Sequence, residues 1–426
     1  MNVEQPVDIA IIGAGPAGLA AMQAALAGGA RVALIDDNPL AGGQIWRGGQ
    51  HPDPRYRAAQ ACLGHERLQV FTGCRLVAAP AAGTLLLEER EHSRLLRYLR
   101  LIIASGARER LLPFPGWTLP GVTGAGALQA MVKQGLDVRS QRVVLAGSGP
   151  LLLAAADTLL DAGADLRWIA EQASWRDLAA FALGLHRYPG KLLQAAGLRW
   201  RLRQVPYRSG SHVAAALGRD SLRAVRIQAP GRSIKIECDW LGVGYGLLPN
   251  TELASTLGCT IRDGAVQVDA LQRSSIANVY AAGEATGIGG VDKAWLEGRL
   301  AGLHATDQHR ELAALQRQLG HAQRYAGHLA QHFTLSPAIK QLAEPDTVVC
   351  RCEDVSYRQL AAMGSWREAK LQTRCGMGPC QGRICGAACQ SLFGWSHVGS
   401  RPPLQPARLG TLALTEIPQA KETPCL

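Results

Sequence analysis

Cysteine residues are concentrated near the C-terminus, where their spacing suits a metal centre. Six of the eleven cysteines lie within residues 350–389. The cysteines that can form close pairs are Cys350, Cys352, Cys375, Cys380 and Cys385. Cys350 and Cys352 are separated by one residue. The second pair, with the spacing C-x4-C, can be either Cys375 with Cys380 or Cys380 with Cys385. Paired cysteines on two glycine-lined loops can present four thiolates to one iron–sulfur cluster, and four thiolates equally suit structural zinc. We therefore predict a separate C-terminal metal or redox module.

A glycine-rich turn near the N-terminus has the spacing of a dinucleotide phosphate site. It occupies residues 13–18, between a predicted buried strand at 7–12 and a predicted helix. A second predicted strand at 31–35 ends at Asp36, where an acid can accept hydrogen bonds from ribose hydroxyls. In such a unit the glycines allow a tight turn, close approach of a pyrophosphate to the helix N-terminus, and close helix–strand packing. The predicted dinucleotide-binding residues are Gly13, Gly15, Pro16, Ala17, Gly18, Asp36 and Asp37.

Three further segments indicate that this dinucleotide is FAD. Residues 42–44 resemble the loop beside the flavin in two-domain flavoproteins, and residues 101–107 resemble their strand followed by an Ala-Thr-Gly-Ala element. Residues 278–284 resemble their second FAD motif, with Glu284 where Asp is usual. The resemblance adds these residues to the FAD site: Gly43, Gln44, Ala104, Gly106, Gly283 and Glu284.

A second, imperfect nucleotide-binding pattern lies between the FAD segments. A predicted strand at 143–146 leads into a turn at 147–152, and Glu171 follows the next predicted strand. The layout resembles the inserted NAD(P) domain of the glutathione-reductase-like superfamily, and its candidate site residues are Gly147, Gly149 and Glu171. Leu152 occupies the third-glycine position, where a side chain would crowd the packing of helix against strand. Binding of NAD(P)H, of ATP or another nucleotide, or of none therefore stays open.

Composition excludes several classes of protein. Of 426 residues, 47% are hydrophobic and 19% are charged, which is typical of globular domains and not of a disordered chain. The net charge is +11, but aromatics make up only 5% and do not interleave with arginine runs, so we predict no nucleic-acid partner. We find no apolar run long enough for a membrane span and no signal-peptide pattern. We expect a cytoplasmic protein that associates with the inner membrane, if at all, through its electron acceptor.

The C-terminal cysteine motif resembles a known iron–sulfur module. Residues 376–385 fit the pattern G-M-G-x-C-Q-G-x-x-C, which is similar to that of the [2Fe–2S] domain related to bacterioferritin-associated ferredoxin. The resemblance implies a cluster held by Cys350, Cys352, Cys380 and Cys385. It leaves Cys375, before the glycines, and Cys389 as spare thiols.

The order of segments resembles the larger flavoprotein subunits of heteromeric bacterial amine and amino-acid dehydrogenases. That group includes opine oxidases, hydrogen cyanide synthase and dye-linked proline or D-hydroxyproline dehydrogenases. The resemblance implies an α/β fold of the two-domain glutathione-reductase type with a small C-terminal helical [2Fe–2S] domain. The expected domains are FAD-binding at 1–118 and 247–335, an inserted nucleotide-binding-like domain at 119–246, the [2Fe–2S] domain at 340–400 and an extended tail at 401–426.

The resemblance also implies a division of labour between subunits. A D-amino-acid-oxidase-like flavoprotein beta subunit would oxidise the secondary amine or amino acid, and this chain would accept the electrons through FAD and [2Fe–2S]. A downstream electron acceptor and a small [2Fe–2S] ferredoxin-like subunit are further expected partners. No catalytic residue is identified. Two alternatives remain: a stand-alone NAD(P)H-dependent FAD/[2Fe–2S] reductase, and a zinc-stapled scaffold without enzymatic activity.

Overall fold

The computed structural model describes residues 6–47, 52–308, 311–395 and 401–414. The chain divides into two compact units. Unit 1 falls within residues 1–106, 249–320 and 399–426, and unit 2 within residues 107–248 and 321–398.

The first stretch of unit 1 alternates strands and helices and then forms antiparallel strands. Its elements are β1 (Val7–Ile12), α1 (Pro16–Ala27), β2 (Val32–Ile35), α2 (Pro54–Ala61), β3 (Leu68–Phe71), β4 (Arg75–Ala81), β5 (Thr84–Glu88) and β6 (Ser93–Ile103).

The next stretch supplies most of unit 2. Its elements are β7 (Ala107–Glu109), β8 (Val122–Gly124), α3 (Ala125–Lys133), β9 (Arg142–Gly147), α4 (Pro150–Asp161), β10 (Asp165–Glu171), α5 (Trp175–Gly184), α6 (Pro189–Arg201), β11 (Tyr207–Arg208), β12 (His212–Gly218), β13 (Leu222–Ala229), β14 (Arg232–Glu237), β15 (Trp240–Gly244) and β16 (Leu247–Pro249).

The remaining elements belong first to unit 1, then to unit 2, and the last of them, α14, belongs again to unit 1. They are α7 (Glu252–Thr256), β17 (Ile261–Arg262), β18 (Ala265–Val266), β19 (Val279–Ala281), α8 (Gly290–His304), α9 (Leu312–His332), α10 (Pro337–Lys340), β20 (Val348–Cys350), β21 (Val355–Ser356), α11 (Tyr357–Ala361), α12 (Trp366–Thr373), α13 (Cys385–Phe393) and α14 (Leu409–Ala413).

Unit 1 is built on a sheet in which parallel strands meet an antiparallel meander. The strand order is β3-β2-β1-β6-β5-β4, with β19 beside the C-terminal half of β6. β1 pairs in parallel with β2 and β6, and its apolar residues feed a core on each face of the sheet. Because strands buried on both faces need apolar residues throughout, the continuous run Val-Asp-Ile-Ala-Ile-Ile suits a central parallel strand. The carboxyl ends of β1, β2, β6 and β19 therefore meet at one edge.

Unit 2 contains a second parallel sheet and a separate antiparallel one. The parallel order is β11-β10-β9-β15-β8, and β12-β13-β14 form the antiparallel sheet. We expected the second FAD segment to extend to residue 335 and the first to residue 118, but residues 321–335 and 107–118 fall in unit 2. For residues 107–118, the physical reason is that Phe114 and Trp117 are buried in its core against residues of β12 to β15.

The C-terminal part of unit 2 has a small core of its own. Residues of β20, β21 and α11 to α13 pack around Val349, Leu360 and Ala388. α11 begins with a reciprocal capping box between Ser356 and Gln359, which satisfies backbone donors at its first turn. This small core brings several cysteines next to one another.

The tail differs from the extended arm that we predicted for residues 401–426. Within its described part, 401–414, Leu404 is buried and its N–H donates to the Val77 carbonyl oxygen, while α14 forms a short helix. The Glu88 carboxylate accepts hydrogen bonds from the backbone and side chain of Arg408 and from the Thr411 hydroxyl. The segment thus packs on the antiparallel strands of unit 1, and residues 415–426 lie outside the described residues. Among the described helices, none is long and apolar enough to cross a membrane.

Candidate functional site

The first glycine turn lies at the carboxyl end of β1 and leads directly into α1. Gly13 has a φ of +105°, and a Cβ atom there would lie 2.2 Å from the Ala104 carbonyl oxygen. A Cβ atom on Gly18 would lie 1.8 Å from the Gly13 carbonyl oxygen. Pro16 starts the helix, where its missing N–H is not required. Gly15 precedes it and leaves the helix N-terminus open to an anion.

Asp36 is held beside this turn at the end of β2. Its Oδ2 accepts a hydrogen bond from the Ala14 N–H at 2.6 Å, and its Oδ1 accepts from the Asn38 N–H at 2.8 Å. Asp36 is buried, whereas Asp37 is exposed and accepts from the Asn38 side-chain amide at 3.0 Å. The structure therefore places the Asp36 carboxylate against the backbone of the turn and leaves Asp37 facing solvent.

The loop predicted to lie near the flavin folds over the glycine turn. The Gly42 N–H donates to the Ala14 carbonyl oxygen at 2.8 Å. Gly43 has a φ of +60°, and a Cβ atom there would lie 2.8 Å from the Gly15 Cα. Gln44 follows with its side chain exposed. The close backbone approach explains why glycine occupies position 43.

The other predicted FAD segments reach the same edge of the sheet. Ala104 follows β6, and its N–H donates to the Ile12 carbonyl oxygen at 2.8 Å, while Gly106 has a φ of +68°. Gly283 follows β19 with a φ of +79°, and a Cβ atom there would lie 2.7 Å from the Ala17 Cβ. Segments about 270 residues apart in sequence are thus brought together around the start of α1.

Glu284 is directed to the N-terminus of α8. Its Oε1 accepts a hydrogen bond from the Gly290 N–H at 3.1 Å. Desolvation raises the pKa of its carboxyl above the usual range. The longer side chain, which stands where Asp is usual in this motif, is thereby used to cap a helix N-terminus, a position that favours a carboxylate.

A buried ion pair that sequence analysis missed fixes the turn around Glu284. The Lys293 Nζ lies 2.8 Å from the Glu297 Oε1, and their side chains are 8% and 2% exposed. Lys293 also donates to the carbonyl oxygens of Gly283 and Gly287, and Glu297 accepts from the Gly283 N–H and the Thr286 hydroxyl. The sequence shows that Lys293 and Glu297 carry opposite charges four positions apart, a spacing that favours pairing on a helix. Nothing in the sequence indicated that the pair is buried.

The second glycine turn, in unit 2, repeats the backbone features of the first. Gly147 has a φ of +154°, and a Cβ atom there would lie 2.0 Å from the Gly244 carbonyl oxygen. The Glu171 Oε2 accepts from the Gly149 N–H at 2.7 Å, and its Oε1 accepts from the Ala173 N–H at 2.9 Å. Burial raises the pKa of this carboxyl. All three predicted residues of this site are therefore adjacent.

Leu152 is accommodated without the crowding that we expected. It is fully buried in the core between α4 and the parallel sheet. Its side chain fits because the neighbouring strand presents Gly244, where an added Cβ atom would lie 3.6 Å from the Leu152 Cδ2. A small residue on the strand thus replaces the small residue that is usual on the helix.

A segment of the same chain covers the second glycine turn. A Cβ atom on Gly149 would lie 3.5 Å from Cγ of the Phe333 ring. The Gln172 side-chain amide donates to the Thr334 carbonyl oxygen at 2.7 Å and accepts from the Ser336 N–H at 2.8 Å. The aromatic ring lies against the second glycine of the turn, the residue that in nucleotide-binding turns lets a pyrophosphate approach the backbone. Sequence analysis missed these contacts, which join residues more than 160 positions apart.

We expect NADH and NADPH to leave the flavin of the purified protein oxidised, because Phe333 and Thr334 cover the second turn. The measurement is the flavin absorbance after anaerobic mixing with each nucleotide. Dithionite is the control, since it must bleach the same flavin. Rapid bleaching by either nucleotide would contradict the prediction and favour a stand-alone reductase.

Three buried thiols form the centre of the C-terminal cysteine site. The Sγ atoms of Cys350, Cys375 and Cys385 all lie within 4.8 Å of one another, and we call them the inner thiol group. Two of them were predicted ligands, and Cys375 was predicted to be a spare thiol. The structure therefore adds Cys375 to the group of potential metal ligands.

The other two predicted ligands form an outer pair beside the inner thiol group. Cys352 is exposed and Cys380 is half-buried, and the two thiols interact with each other. Cys380 also interacts with Cys385 of the inner group. A Cβ atom on Gly378 would lie 2.3 Å from the Cys352 Cβ, so this loop can approach Cys352 only with glycine there.

The five thiols interact electrostatically, so hydrogen bonds among them raise the pKa of Cys375 and Cys385 while they lower that of other members. Hydrogen bonds from Cys375 and Cys385 lower the pKa of Cys350 to about 2, and a hydrogen bond from Cys385 helps lower the pKa of Cys380 to about 5. Backbone N–H groups of Gly376 and Gly382 also donate to these two sulfurs. Thiolate is the form that binds metals, and backbone donors to sulfur are typical of iron–sulfur sites. The residues present therefore fit a cluster bound by thiolates.

The fold and the first glycine site define a mixed α/β flavoprotein oxidoreductase. The profile of the pyridine nucleotide-disulphide oxidoreductase family matches residues 7–298. The chain belongs to this family and is an oxidoreductase.

Two curated relatives match nearly the full length of the chain. The chain is 33% identical to an opine oxidase subunit of Rhizobium meliloti strain 1021, over 95% of this chain and 98% of the relative. It is 32% identical to hydrogen cyanide synthase subunit HcnB of Pseudomonas protegens, over 93% of this chain and 95% of the relative.

Solved structures of similar fold extend over most of the chain. An L-proline dehydrogenase from P. horikoshii superposes with a TM-score of 0.69 and 20% identity, covering 96% of this chain and 79% of the other. A thioredoxin reductase from T. acidophilum superposes with a TM-score of 0.54 and 20% identity, covering 71% of this chain and 99% of the other. At these identities the likeness concerns the fold alone.

Proposed function

We propose that this chain is the flavin and iron–sulfur electron-transfer subunit of a heteromeric dehydrogenase or oxidase. The substrate is a secondary amine or amino acid of the D-hydroxyproline, proline, opine or glycine class. Its oxidation takes place in a partner flavoprotein subunit that resembles D-amino-acid oxidases. A downstream acceptor and a small ferredoxin-like subunit complete the chain of electron transfer, in the cytoplasm or at the inner face of the membrane.

The observation that carries this proposal is the grouping of thiols in a flavoprotein chain. Five cysteines from residues 350–352 and 375–385 lie together, with backbone N–H groups directed at their sulfurs. The family of the chain accounts for FAD but does not require a thiolate centre. Relatives that match nearly the full length are named as subunits of an oxidase and of a synthase, which supports a partner subunit for this chain as well.

The chain's own residues would bind and orient the two groups. Gly13 and Gly15 allow the FAD pyrophosphate to approach the N-terminus of α1, and Asp36 is placed to accept from the ribose. The Lys293–Glu297 pair holds the turn that carries Glu284, which would bind the flavin's ribityl chain as in the motif that it resembles. Bound FAD would accept two electrons, and a [2Fe–2S] cluster would pass them on one at a time. The candidate cluster ligands come from the inner thiol group and the outer pair.

The proposed division of labour is tested by purifying the native protein with its partners. We expect a second flavoprotein to co-purify and the flavin of this chain to be reduced by an amino acid of the proposed class only in the complex. The measurement is anaerobic flavin bleaching by hydroxyproline, proline, an opine and glycine, with and without the partner. Reduction of the isolated chain by one of these substrates would contradict the proposal.

We expect Cys380→Ala to remove the cluster and to leave FAD bound, because the thiolate lies in the outer pair while the FAD residues lie in unit 1. Loss of a direct ligand should lower bound iron at least about tenfold, since even supporting residues typically change metal affinity about 10- to 100-fold. Iron, acid-labile sulfide and flavin per chain are measured in the same sample. Cys62→Ala, a half-buried cysteine of unit 1, is the matched control. Iron retained at the wild-type level would rule out Cys380 as a ligand.

A further inference from the structure

The cysteine site contains more thiols than a [2Fe–2S] cluster can use. Such a cluster takes four thiolates, two for each iron. The outer pair, Cys352 and Cys380, supplies two. The inner thiol group supplies three sulfurs for the two positions that remain. One of the three inner thiols is therefore in excess of the thiolates that the cluster would need.

Any two inner thiols are close enough to serve one iron. Thiolates at about 2.3 Å from one tetrahedral metal lie about 3.8 Å apart. The three sulfurs of the inner group are all within 4.8 Å of one another. Small side-chain adjustments would therefore bring each of the three possible pairs to ligand distance, without a rearrangement of the backbone.

Cys375 is held in the group by a rigid turn. The turn follows α12, with Arg374 at a φ of +64° and Gly376 at a φ of +79°. A Cβ atom on Gly376 would lie 2.6 Å from the Trp366 ring, so the chain folds tightly against that ring. The Gly376 N–H donates to the Cys350 sulfur, and Cys375 itself is fully buried. A thiol in this position cannot swing out to solvent.

We propose that Cys375 is an interchangeable ligand of the inner iron, able to replace Cys385 or Cys350. The inner iron would then keep two thiolates after the loss of any one member of the inner group. The outer iron would have no such reserve, because Cys385, the inner thiol that interacts with Cys380, is already counted among the ligands of the inner iron. The inference rests on the proposed function, in which this segment holds a [2Fe–2S] cluster.

Single and double alanine variants test the proposal, since alanine offers no oxygen that could bind iron in place of sulfur. We expect Cys385→Ala and Cys375→Ala each to retain iron and sulfide close to the wild-type amounts. The Cys375→Ala/Cys385→Ala double variant should lose iron at least about tenfold, as Cys352→Ala and Cys380→Ala should. Electron paramagnetic resonance of the reduced protein should show an altered signal in Cys385→Ala and an unaltered one in the control Cys74→Ala, a buried cysteine of unit 1.

The results separate a failure of the ligand exchange from a failure of the proposed function. Loss of iron from Cys385→Ala as complete as from Cys380→Ala, in protein with wild-type circular dichroism, would overturn the exchange of ligands. Full iron in the double variant would overturn it as well. If Cys385→Ala fails to fold, Cys350→Ala carries the same expectation. Wild-type protein that binds zinc or no metal would overturn the proposed function itself, so the two failures are distinguishable.

Discussion

Gly18→Ala is expected to lower FAD affinity about tenfold or more, although it adds a single methyl group. The new Cβ would lie 1.8 Å from the Gly13 carbonyl oxygen, so α1 would have to move away from β1. It cannot move freely, because a Cβ atom on Gly298 of α8 would already lie 2.0 Å from the Ala17 carbonyl oxygen on the other side. Overpacking of this kind costs about 1–3 kcal/mol, and about 1.4 kcal/mol is tenfold in affinity.

The measurement is the amount of FAD that remains bound after dialysis, together with the dissociation constant from flavin fluorescence. Gly64→Ala is the matched control, because no atom lies within 4 Å of the Cβ that it would add. The control should keep the affinity of the wild type. A Gly18→Ala variant with unchanged affinity would show that the turn is not the pyrophosphate site.

Lys293→Met is expected to destabilise unit 1 by about 3–5 kcal/mol, the cost of leaving one member of a buried ion pair without its partner. The Glu297 carboxylate is 2% exposed and would keep only neutral donors, the Gly283 N–H and the Thr286 hydroxyl. The turn at residues 283–287 would lose three hydrogen bonds from the Lys293 ammonium at the same time. We therefore expect weaker FAD binding as well as lower stability.

Urea unfolding followed by flavin release measures this effect. In the same helix, Arg299→Met removes a pair with Glu311 whose side chains are 40% and 65% exposed, and it should cost less than about 1 kcal/mol. The Lys293→Met/Glu297→Gln double variant should recover part of the loss, because it removes the uncompensated charge. Equal effects of Lys293→Met and Arg299→Met would contradict a specific role for the buried pair.

The elements of the first site were predictable because they are local. A strand, a glycine turn, a helix and an acid follow one another within about 30 residues, and each is specified by short-range spacing. The observed strand Val7–Ile12 coincides with the predicted one, and α1 starts at Pro16. The later FAD segments could be assigned only by resemblance, since their role depends on meeting the first turn in space.

The second site shows where local patterns fail. Leu152 in the third-glycine position suggested a conflict between helix and strand, but Gly244, nearly a hundred residues later, makes room for it. The cover formed by Phe333 over Gly149 joins residues about twice as far apart in sequence. Neither contact has a sequence signature, because the partners are joined only by the packing of unit 2.

By itself, the sequence determined the chemistry that is available: a dinucleotide turn with its acid, a second turn of the same type, and a C-terminal group of thiols. Tertiary structure decided which of these groups can act together. It buried Lys293 and Glu297 under the second FAD motif, placed Phe333 over the second turn, and brought Cys375 among the predicted ligands. The physical reason is that residue type and spacing fix the local backbone and its donors, whereas burial, charge pairing and thiol proximity arise from segments that meet only in the folded chain.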